Sequence, residues 1–584
     1  MAVSEENVLH VPHAATGSLT RRDTRWLALA LAVTASALLA IRLDLPAFFD
    51  NEGRYAEVAR EMMLRHDWIS PHLDFTLFLN KPPLTFWLTA AVFSFAGPTE
   101  WARVVPLAAA AVALFATCRL GALLYAETTG LVAGVALATM LGFALESRTL
   151  RPDMLLSAAV VVAIACWQHA ERWRARRTPW LVGLYVALGL GMLAKGLVPV
   201  VLAGVPIGVV TLRAHGWRGI ARLRPGLGLA VIAAIVLPWH VAVALRHPGF
   251  AWDYVVNQHL LFFLDRKLPR DSEGDTLAFF WAAFVARALP WVILLPLTLR
   301  EAVRGAGGRA TSVERSTFVL WTWTVGILLF FSAAPSRLEH YSLPALPAVA
   351  LLAARVWQRA RAGELSAPTW GWLAVVAACV VLVGAGGVGW GRALLERTYW
   401  IAEAPAFLAL VTPAAATLCV AGGLLLFATI RRRADWLVTA LAVGIVPIVV
   451  IVLRAEVEAE PLFSWKPLAQ TLVASVPSDA TVVFEAPEEY QLVGGLAYYS
   501  GRPIALLRPP GFVPPTYLAG KVDAMFVSRA DLERRWAGGE RLAFVSDPQS
   551  RRDDPSGLVP PPFHVLGRFG DRWLLASFAA GAGG

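Results

Sequence analysis

The stretch that decides the fold is Asp44–Trp87, DLPAFFDNEGRYAEVAREMMLRHDWISPHLDFTLFLNKPPLTFW. Long apolar runs precede and follow it, whereas its first half carries many charged residues. Apolar side chains recur at spacings of three and four between Tyr55 and Arg65, which predicts a short amphipathic helix lying along a membrane surface. We therefore expect a charged loop in water beside a bilayer, with the acidic residues Asp50 and Glu52 just before the helix.

The rest of the chain is dominated by apolar runs. It has 584 residues, of which 57% are hydrophobic and 16% are charged. Runs of roughly 18 to 25 apolar residues are long enough to cross a bilayer, so the sequence predicts a polytopic α-helical membrane protein with about 13 transmembrane helices. The predicted spans are 26–42, 103–125, 128–147, 153–170, 180–194, 197–213, 226–245, 276–299, 316–333, 341–358, 369–389, 404–430 and 436–454.

The arginines give this topology a direction. Arg21, Arg22 and Arg25 precede the first span, and alternate connections after it are also rich in arginine. Because cytoplasmic loops carry an excess of basic residues, we expect a cytoplasmic tail at 1–25, a transmembrane domain at 26–454 and an outer loop at 43–102. This distribution accounts for the net charge of +10 and gives no indication of nucleic-acid binding.

The composition changes near residue 455. Short β-like runs at Thr481–Glu485, Ala524–Ser528, Arg541–Ser546 and Val565–Ser577 alternate with helical patterns such as Arg529–Trp536. We predict a small α/β domain at 455–584 on the outer side of the membrane. The four cysteines fall inside apolar runs and are expected to pack there as small apolar residues.

The topology gathers ionisable side chains at the outer face, where charges tend to be paired or functional. Carboxylates can activate an acceptor or stabilise the oxocarbenium-like centre of glycosyl transfer, and the candidates are Asp50, Glu52 and Asp153. Basic groups can bind a lipid phosphate and neutralise it as it leaves. The candidate phosphate-binding residues are Arg54, Lys81, Arg337 and Tyr341, and the supporting residues are Tyr55, Arg151, Lys195, His259 and His340.

Five motifs, in this order, resemble those of the bacterial aminoarabinose transferase and protein O-mannosyltransferase families: DNEGRYAEVAREM, NKPPLTFW, RPDMLL, AKG and RLEHYSLPALP. These families are GT-C-type glycosyltransferases. The resemblance covers the membrane portion, and the outer domain suits the aminoarabinose transferase type. It implies a multi-pass enzyme of the bacterial inner membrane with a polyprenyl-phosphate-linked sugar donor, an outward-facing active site and inversion at the anomeric carbon. Lipid A, another lipid, a glycan and a protein all remain open as acceptors.

The motifs carry particular roles to particular residues. The family's acidic pair in the first loop corresponds to Asp50/Glu52, the arginine after it to Arg54, and the lysine before the prolines to Lys81. The second-loop aspartate corresponds to Asp153, the late tyrosine to Tyr341 and the long-loop histidine to His259. Two positions depart from the family pattern. Alignment from Arg54 puts Asn51 where an aspartate is usual, and Asn80 stands where the aminoarabinose type has a glutamate. That glutamate and the histidine resemble a metal-binding pair, so the sequence assigns no cofactor firmly and leaves a divalent metal at His259 open.

Simpler roles compete with these assignments. Asp50 and Glu52 can cap the helix, Lys81 can anchor the chain at the interface, and Lys195 can be a buried salt-bridge partner. A transporter or flippase for lipid-linked sugars is the alternative function, and it requires polar residues along a route across the bilayer midplane. A catalytically inactive lipid-binding scaffold is the third. Because the predicted spans keep their charges at their ends, the sequence favours the enzyme.

Overall fold

The computed structural model describes residues 43–269, 274–397, 406–486, 490–508, 511–518, 526–547 and 553–579. The predicted cytoplasmic tail at 1–25 and the first predicted span at 26–42 lie outside these residues. All other predicted spans fall largely inside them and can be compared with the observed helices.

Within the described residues, nine helices are long and apolar enough to cross a membrane. They are Glu100–Leu124, Asp153–Arg172, Arg177–Lys195, Val198–His215, Pro225–Arg246, Ser312–Ala333, Ala367–Leu395, Ala406–Ile430 and Ala434–Phe463. Leu277–Arg287 and Trp291–Gly305 together pass the same length and composition test, with a bend of 101° between them. The chain is therefore a multi-pass helical membrane protein, and the total of about 13 spans stays a prediction.

Two predicted spans appear as shorter pieces. The segment 128–147 divides into Glu127–Ala138 and Leu141–Glu146, because Met140 between them is extended and the Leu141 N–H donates to the carbonyl of Leu289. The segment 341–358 begins as the 3₁₀ turn Glu339–Ala345 and becomes α-helical only from Leu346. Pro344 lies in that turn, and a proline ring disfavours a continuous α-helix.

The remaining described elements are short. The other α-helices are Asp50–Arg65, Leu84–Ala96, Gly219–Arg222, Phe250–Trp252, Leu299–Gly305, Leu346–Arg361, Lys466–Ser475, Gly494–Ser500 and Arg529–Ala537. The further 3₁₀ and π segments are Arg174–Arg176, Asp253–Leu261, Tyr490–Val493 and Thr516–Leu518.

The first outer loop forms the predicted amphipathic helix, but the helix starts earlier than predicted, so Asp50 and Glu52 lie in its first turn and not before it. Its amphipathic helix begins at Asp50, five residues before Tyr55, and ends at Arg65, where His66 adopts a left-handed conformation. Tyr55, Val58, Ala59 and Met62 are buried, so the predicted apolar face is the face that packs. A hairpin of β1 (His72–Leu73) and β2 (Thr76–Leu77) follows, and then the helix Leu84–Ala96.

The C-terminal region contains a six-stranded mixed sheet. Its strands are β3 (Thr481–Glu485), β4 (Ala505–Leu507), β5 (Phe526–Val527), β6 (Leu542–Val545), β7 (His564–Phe569) and β8 (Arg572–Ala576), in the order β5-β4-β3-β6-β8-β7. The first four strands of that order are parallel, and β8 and β7 are antiparallel. The α/β character of this region is confirmed. The boundary at 455 stays a prediction, and the helix Ala434–Phe463 continues through it.

The C-terminal region packs directly on the first outer loop. A Cβ atom on Gly53 would lie only 2.5 Å from the Cα atom of Gly495, so the two backbones approach too closely for a side chain at Gly53. The phenol of Tyr499 accepts the backbone N–H of Phe48 at 2.6 Å and donates to Glu100 at 2.9 Å. The loop that carries the candidate residues is thus held by the far end of the chain.

Candidate active site

A cavity of about 470 Å³ lies where four distant parts of the chain meet. These parts are the Asn80–Lys81–Pro82 segment, the turn after helix Arg177–Lys195, the π segment Asp253–Leu261 and the stretch around Phe331–Tyr341. The sequence-predicted residues Lys81, Lys195, His259 and Tyr341 all border it. They therefore share one cavity, as the outer-face hypothesis requires.

The polar end of this cavity contains two lysines and a tyrosine. The Lys195 ammonium group lies 4.3 Å from the centroid of the Tyr341 ring, a cation–π contact. Lys81 borders the same cavity from the first outer loop, and Pro82 follows it there. Because lysine is a compact point charge with three donors, this end can hold an anion such as a phosphate.

The rest of the cavity lining is mainly apolar. It is formed mainly by Val198, Val201, Phe262, Phe263, Phe330 and Phe331. Phe263 and Phe330 stack with their ring centroids 5.6 Å apart. A cavity lined by two cations together with aromatic and aliphatic side chains suits an amphiphilic ligand with an anionic head and a hydrocarbon chain.

A buried ionic network lies behind Lys195. Lys195 donates a hydrogen bond to the carboxylate of Asp153, which is only 4% exposed. His340 Nε2 lies 3.7 Å from the same carboxylate, and His340 Nδ1 lies 3.3 Å from Arg151. Arg151 in turn pairs with Glu146 at 2.9 Å. Asp153, Arg151 and His340 are thus brought together as predicted, and they hold the Lys195 ammonium group at the cavity.

A second, smaller chamber of about 210 Å³ contains Glu52. Arg103 forms a bidentate pair with Glu52 at 2.9 and 2.7 Å, and the backbone N–H groups of Leu150 and Phe49 also donate to it. Burial alone would raise the pKa of Glu52, but the Arg103 charge and these hydrogen bonds hold its pKa below the ordinary value. The chamber is also lined by Asn51, Thr149, Arg151, Glu456 and Arg148.

Burial also affects that arginine. It lowers the pKa of Arg148 to about 10, and the positive charge of Arg103 contributes in the same direction. Arg148 still carries its charge at neutral pH. The chamber is therefore lined by charges of both signs.

Three predicted residues point elsewhere in the described structure. Arg54 donates to Gln491 of the C-terminal region at 2.6 Å and to Asn51 at 2.9 Å. Tyr55 stacks on Phe86 in the core of the first loop, with ring centroids 5.8 Å apart.

The third is Arg337, whose guanidinium donates to the backbone carbonyls of Phe331, Ser332 and Asp275. These contacts close the end of helix Ser312–Ala333. Asp50 is the first residue of its helix, and its side chain lies outside the described residues. The placement of Asp50 therefore stays a prediction.

The metal pair implied by the resemblance does not fit the residues present. His259 Nδ1 donates to the carbonyl of Tyr254 at 2.6 Å, and His259 Nε2 accepts the Leu197 N–H at 3.2 Å. Burial and the nearby Lys81 charge lower the pKa of His259, which matches a neutral ring with both nitrogens engaged. Asn80 offers an amide oxygen instead of a carboxylate, and that oxygen accepts the hydroxyl of Tyr517 at 2.7 Å.

Sequence reasoning missed Arg103 and the partner role of Glu146. Arg103 is 2% exposed and contacts Glu52 and the carbonyls of Leu43 and Pro46. An arginine at the predicted outer end of a span runs against the positive-inside rule, and this was the signal that could have identified it. Glu146 lacks such a signal, because its pairing with Arg151 and Arg287 depends on the fold.

Comparison with known proteins adds sequence matches over part of the chain. The family model described as "Dolichyl-phosphate-mannose-protein mannosyltransferase" matches residues 80–241. The "Undecaprenyl phosphate-alpha-4-amino-4-deoxy-L-arabinose arabinosyl transferase" of Pectobacterium carotovorum is 32% identical over 317 residues, which cover 52% of this chain and 54% of that protein. The protein of the same description from an Enterobacter species is 28% identical over 346 residues, 57% of this chain and 60% of its own length. The chain is similar to the aminoarabinose transferases.

The matched part spans little more than half the length of these curated relatives. A crystal structure of ArnT from Cupriavidus metallidurans in the apo state superposes with a TM-score of 0.78 at 22% identity, and it covers 95% of this chain and 98% of that one. The same protein bound to undecaprenyl phosphate gives a TM-score of 0.75 at 21% identity, with the same coverage. The GT-C-type fold and the family resemblance inferred from the five motifs are confirmed.

Proposed function

We propose that this protein is an integral membrane glycosyltransferase that moves a sugar from a polyprenyl-phosphate donor to an acceptor on the outer side of the cytoplasmic membrane. The observation that carries the proposal is one cavity lined both by Lys81 and Lys195 and by a largely apolar set of side chains. A polyprenyl phosphate has the same division into an anionic head and a hydrocarbon chain. The relatives' names include undecaprenyl phosphate, and the similar ArnT fold was solved with that lipid bound.

In the proposed reaction, the bond between the anomeric carbon and the donor phosphate oxygen breaks, and an acceptor oxygen bonds to the opposite face of that carbon. The polyprenyl phosphate leaves with the bonding electron pair, so negative charge grows on its oxygens. Lys81 and Lys195 neutralise that charge, and the fixed position of Lys195 in its ion pair with Asp153 avoids reorganisation during the step. Tyr341 completes this end of the cavity.

The carboxylates divide into different roles. Asp153 holds Lys195 in place, and Glu52 holds the first loop against Arg103 and Leu150. Asp50 remains the candidate that stabilises the sugar or takes a proton from a hydroxyl acceptor. A phosphate acceptor is already ionised at neutral pH and needs no such base, so lipid A, another lipid, a glycan and a protein differ in their need for Asp50.

The outward orientation is part of the proposal. Its support is the distribution of arginines, because in the predicted topology the arginine-rich connections and the loop that carries Lys81 are on opposite sides of the membrane. The transporter alternative gains no support from the relatives, whose descriptions name transferases. The scaffold alternative rested on Asn51 and Asn80. In the structure the side-chain oxygen of Asn51 accepts a hydrogen bond from Arg54, and that of Asn80 accepts one from Tyr517.

The test is transfer by the purified protein in lipid vesicles that contain a polyprenyl-phosphate sugar and extracted envelope lipids. Lys81→Ala should lower kcat/KM for the donor about 100- to 1000-fold, because a cation on the leaving phosphate is lost. Lys466→Ala is the matched control, since Lys466 pairs with Glu100 at 3.4 Å, away from the cavity. Lipid movement across the vesicle without any glycosylated product, or full activity of Lys81→Ala, would contradict the proposal.

A further inference from the structure

The segment that carries Lys81 is held from the C-terminal region. Tyr517 lies in the 3₁₀ turn Thr516–Leu518, is 3% exposed, and donates its hydroxyl to the side-chain oxygen of Asn80 at 2.7 Å. The same hydroxyl oxygen lies 3.4 Å from the donating backbone N–H of Leu79. One phenol therefore contacts the two residues that immediately precede Lys81.

The turn that presents Tyr517 is itself fixed to the membrane part. Thr516 donates its hydroxyl to the carbonyl of Gly249 at 2.9 Å. Gly249 has φ +91°, and a Cβ atom there would lie 3.0 Å from the Thr516 backbone, so the approach depends on glycine. The Tyr517 ring belongs to a buried cluster with Leu79 and Tyr254, and Tyr254 borders the candidate cavity.

We propose that Tyr517 is a positioning residue for Lys81, through which the C-terminal region sets the affinity of the cavity for the donor phosphate. The inference rests on the proposed function. A lysine side chain has many rotamers, and the orientation of its backbone decides how many of them reach the phosphate. Pro82 and Pro83 restrict the backbone after Lys81, and the Tyr517 contacts restrict it before Lys81.

Residue 80 is an asparagine, so the hydrogen bond from Tyr517 ends on a neutral side chain. The hydroxyl of Tyr517 donates to a neutral amide, so the hydrogen bond brings no negative charge next to Lys81. A carboxylate at this position would also accept the bond, but it would compete with the phosphate for the lysine. Asn80 thus allows the C-terminal region to hold the segment without a carboxylate beside Lys81.

The test compares Tyr517→Phe with Tyr499→Phe in the full-length protein. Both changes remove one phenol that hydrogen-bonds the first loop from the C-terminal region, but Tyr499 contacts Phe48 and Glu100 instead of the Lys81 segment. We expect Tyr517→Phe to raise the donor KM about fivefold and also to lower kcat, with the acceptor KM unchanged, because a displaced Lys81 both binds the donor phosphate less well and neutralises less of the charge that grows on it. Tyr499→Phe should leave the donor KM within twofold of wild type.

Binding of undecaprenyl phosphate alone, measured by its stabilisation of the protein against heating, provides a readout that needs no turnover. Tyr517→Phe should weaken this binding by the same factor, and Asn80→Ala combined with Tyr517→Phe should weaken it no further than Asn80→Ala alone. The inference would be overturned if the wild type binds undecaprenyl phosphate and Tyr517→Phe and Tyr499→Phe bind it with equal dissociation constants. Additive effects of Asn80→Ala and Tyr517→Phe in the double variant would also overturn it. Absence of both binding and transfer in the wild type would instead reject the proposed function.

Discussion

Two polar regions of the molecule use charge in opposite ways. In the chamber at Glu52, the acidic side chain accepts two hydrogen bonds from Arg103 and two more from backbone N–H groups. In the cavity at Lys81, two lysines border a space whose remaining wall is largely aromatic and aliphatic. The first arrangement fixes Glu52 with four hydrogen bonds from the protein, and the second places Lys81, and Lys195 with its partner Asp153, along the lining of a cavity that a ligand can enter.

This difference distinguishes ionisable residues that have a structural role from ionisable residues that bind a ligand. A buried carboxylate that already accepts four hydrogen bonds cannot take a proton or a ligand without losing contacts that hold the loop. A cation beside an apolar wall gains most from an anionic ligand with a hydrocarbon chain. We therefore expect changes at Glu52 to act mainly on stability, and changes around Lys195 to act mainly on the donor.

The largest effect is expected from Glu52→Ala. It leaves Arg103 buried without its partner, and breaking such a pair destabilises a protein by about 3–5 kcal/mol. The measurement is thermal or denaturant unfolding of the purified protein in detergent. The double variant Glu52→Leu with Arg103→Met should recover much of the loss, because it removes both buried charges at once.

The effect of Glu52→Ala has a defined pH dependence. The folded-state pKa of Glu52 lies below the ordinary value of 4.5, so the ionised side chain stabilises the fold at pH above that value. This contribution is lost as the pH falls through the folded-state pKa. The stability gap between wild type and variant should therefore be complete at pH 7 and should shrink below pH 4.5. A gap that stays constant down to pH 3 would show that the packing of the side chain, not its charge, matters.

How much of this could be predicted from the sequence depends on how local the cause is. Helix Asp50–Arg65 follows from its own apolar spacing, and Lys81, Lys195 and Tyr341 stand in motifs whose order the fold preserves. The break at Met140 could not be predicted, because it depends on a hydrogen bond to a carbonyl almost 150 residues further along the chain.

The direction of a long side chain is equally non-local. Arg54 has the residue type and the position of a phosphate ligand, yet it contacts Gln491, which is 437 residues away in the sequence. Periodicity predicts which face of a helix carries Arg54, but the packing of the C-terminal region on that face decides what Arg54 meets. The motifs therefore predicted residues that border one cavity, but only some of the contacts that these residues make.

A smaller effect on the donor is expected from Asp153→Asn, beside the loss of stability that follows when the ion pair of a buried carboxylate is broken. Lys195 keeps a hydrogen-bonding neighbour but loses the charge that fixes its ammonium group, so kcat/KM for the donor should fall about 10- to 100-fold. Glu171→Gln is the matched control, since Glu171 pairs with Arg177 near the other end of the same helix. Equal losses of kcat/KM for the two variants would mean that any ion pair on this helix supports activity through stability alone. The distinction between structural roles at Glu52 and binding roles around Lys195 would then fail.

The smallest effect on the donor is expected at Arg337, a residue that the sequence assigned to phosphate binding. Its guanidinium donates to the carbonyls of Phe331 and Ser332 at the end of helix Ser312–Ala333 and to the carbonyl of Asp275. Arg337→Met should therefore lower the free energy of unfolding by about 1–2 kcal/mol, while the donor KM changes less than twofold. A tenfold rise in donor KM at unchanged stability would reverse this assignment. It would mean that Arg337 turns from those carbonyls to the phosphate when the lipid binds, and that the cavity draws on a third cation which the ligand-free arrangement holds in a structural role.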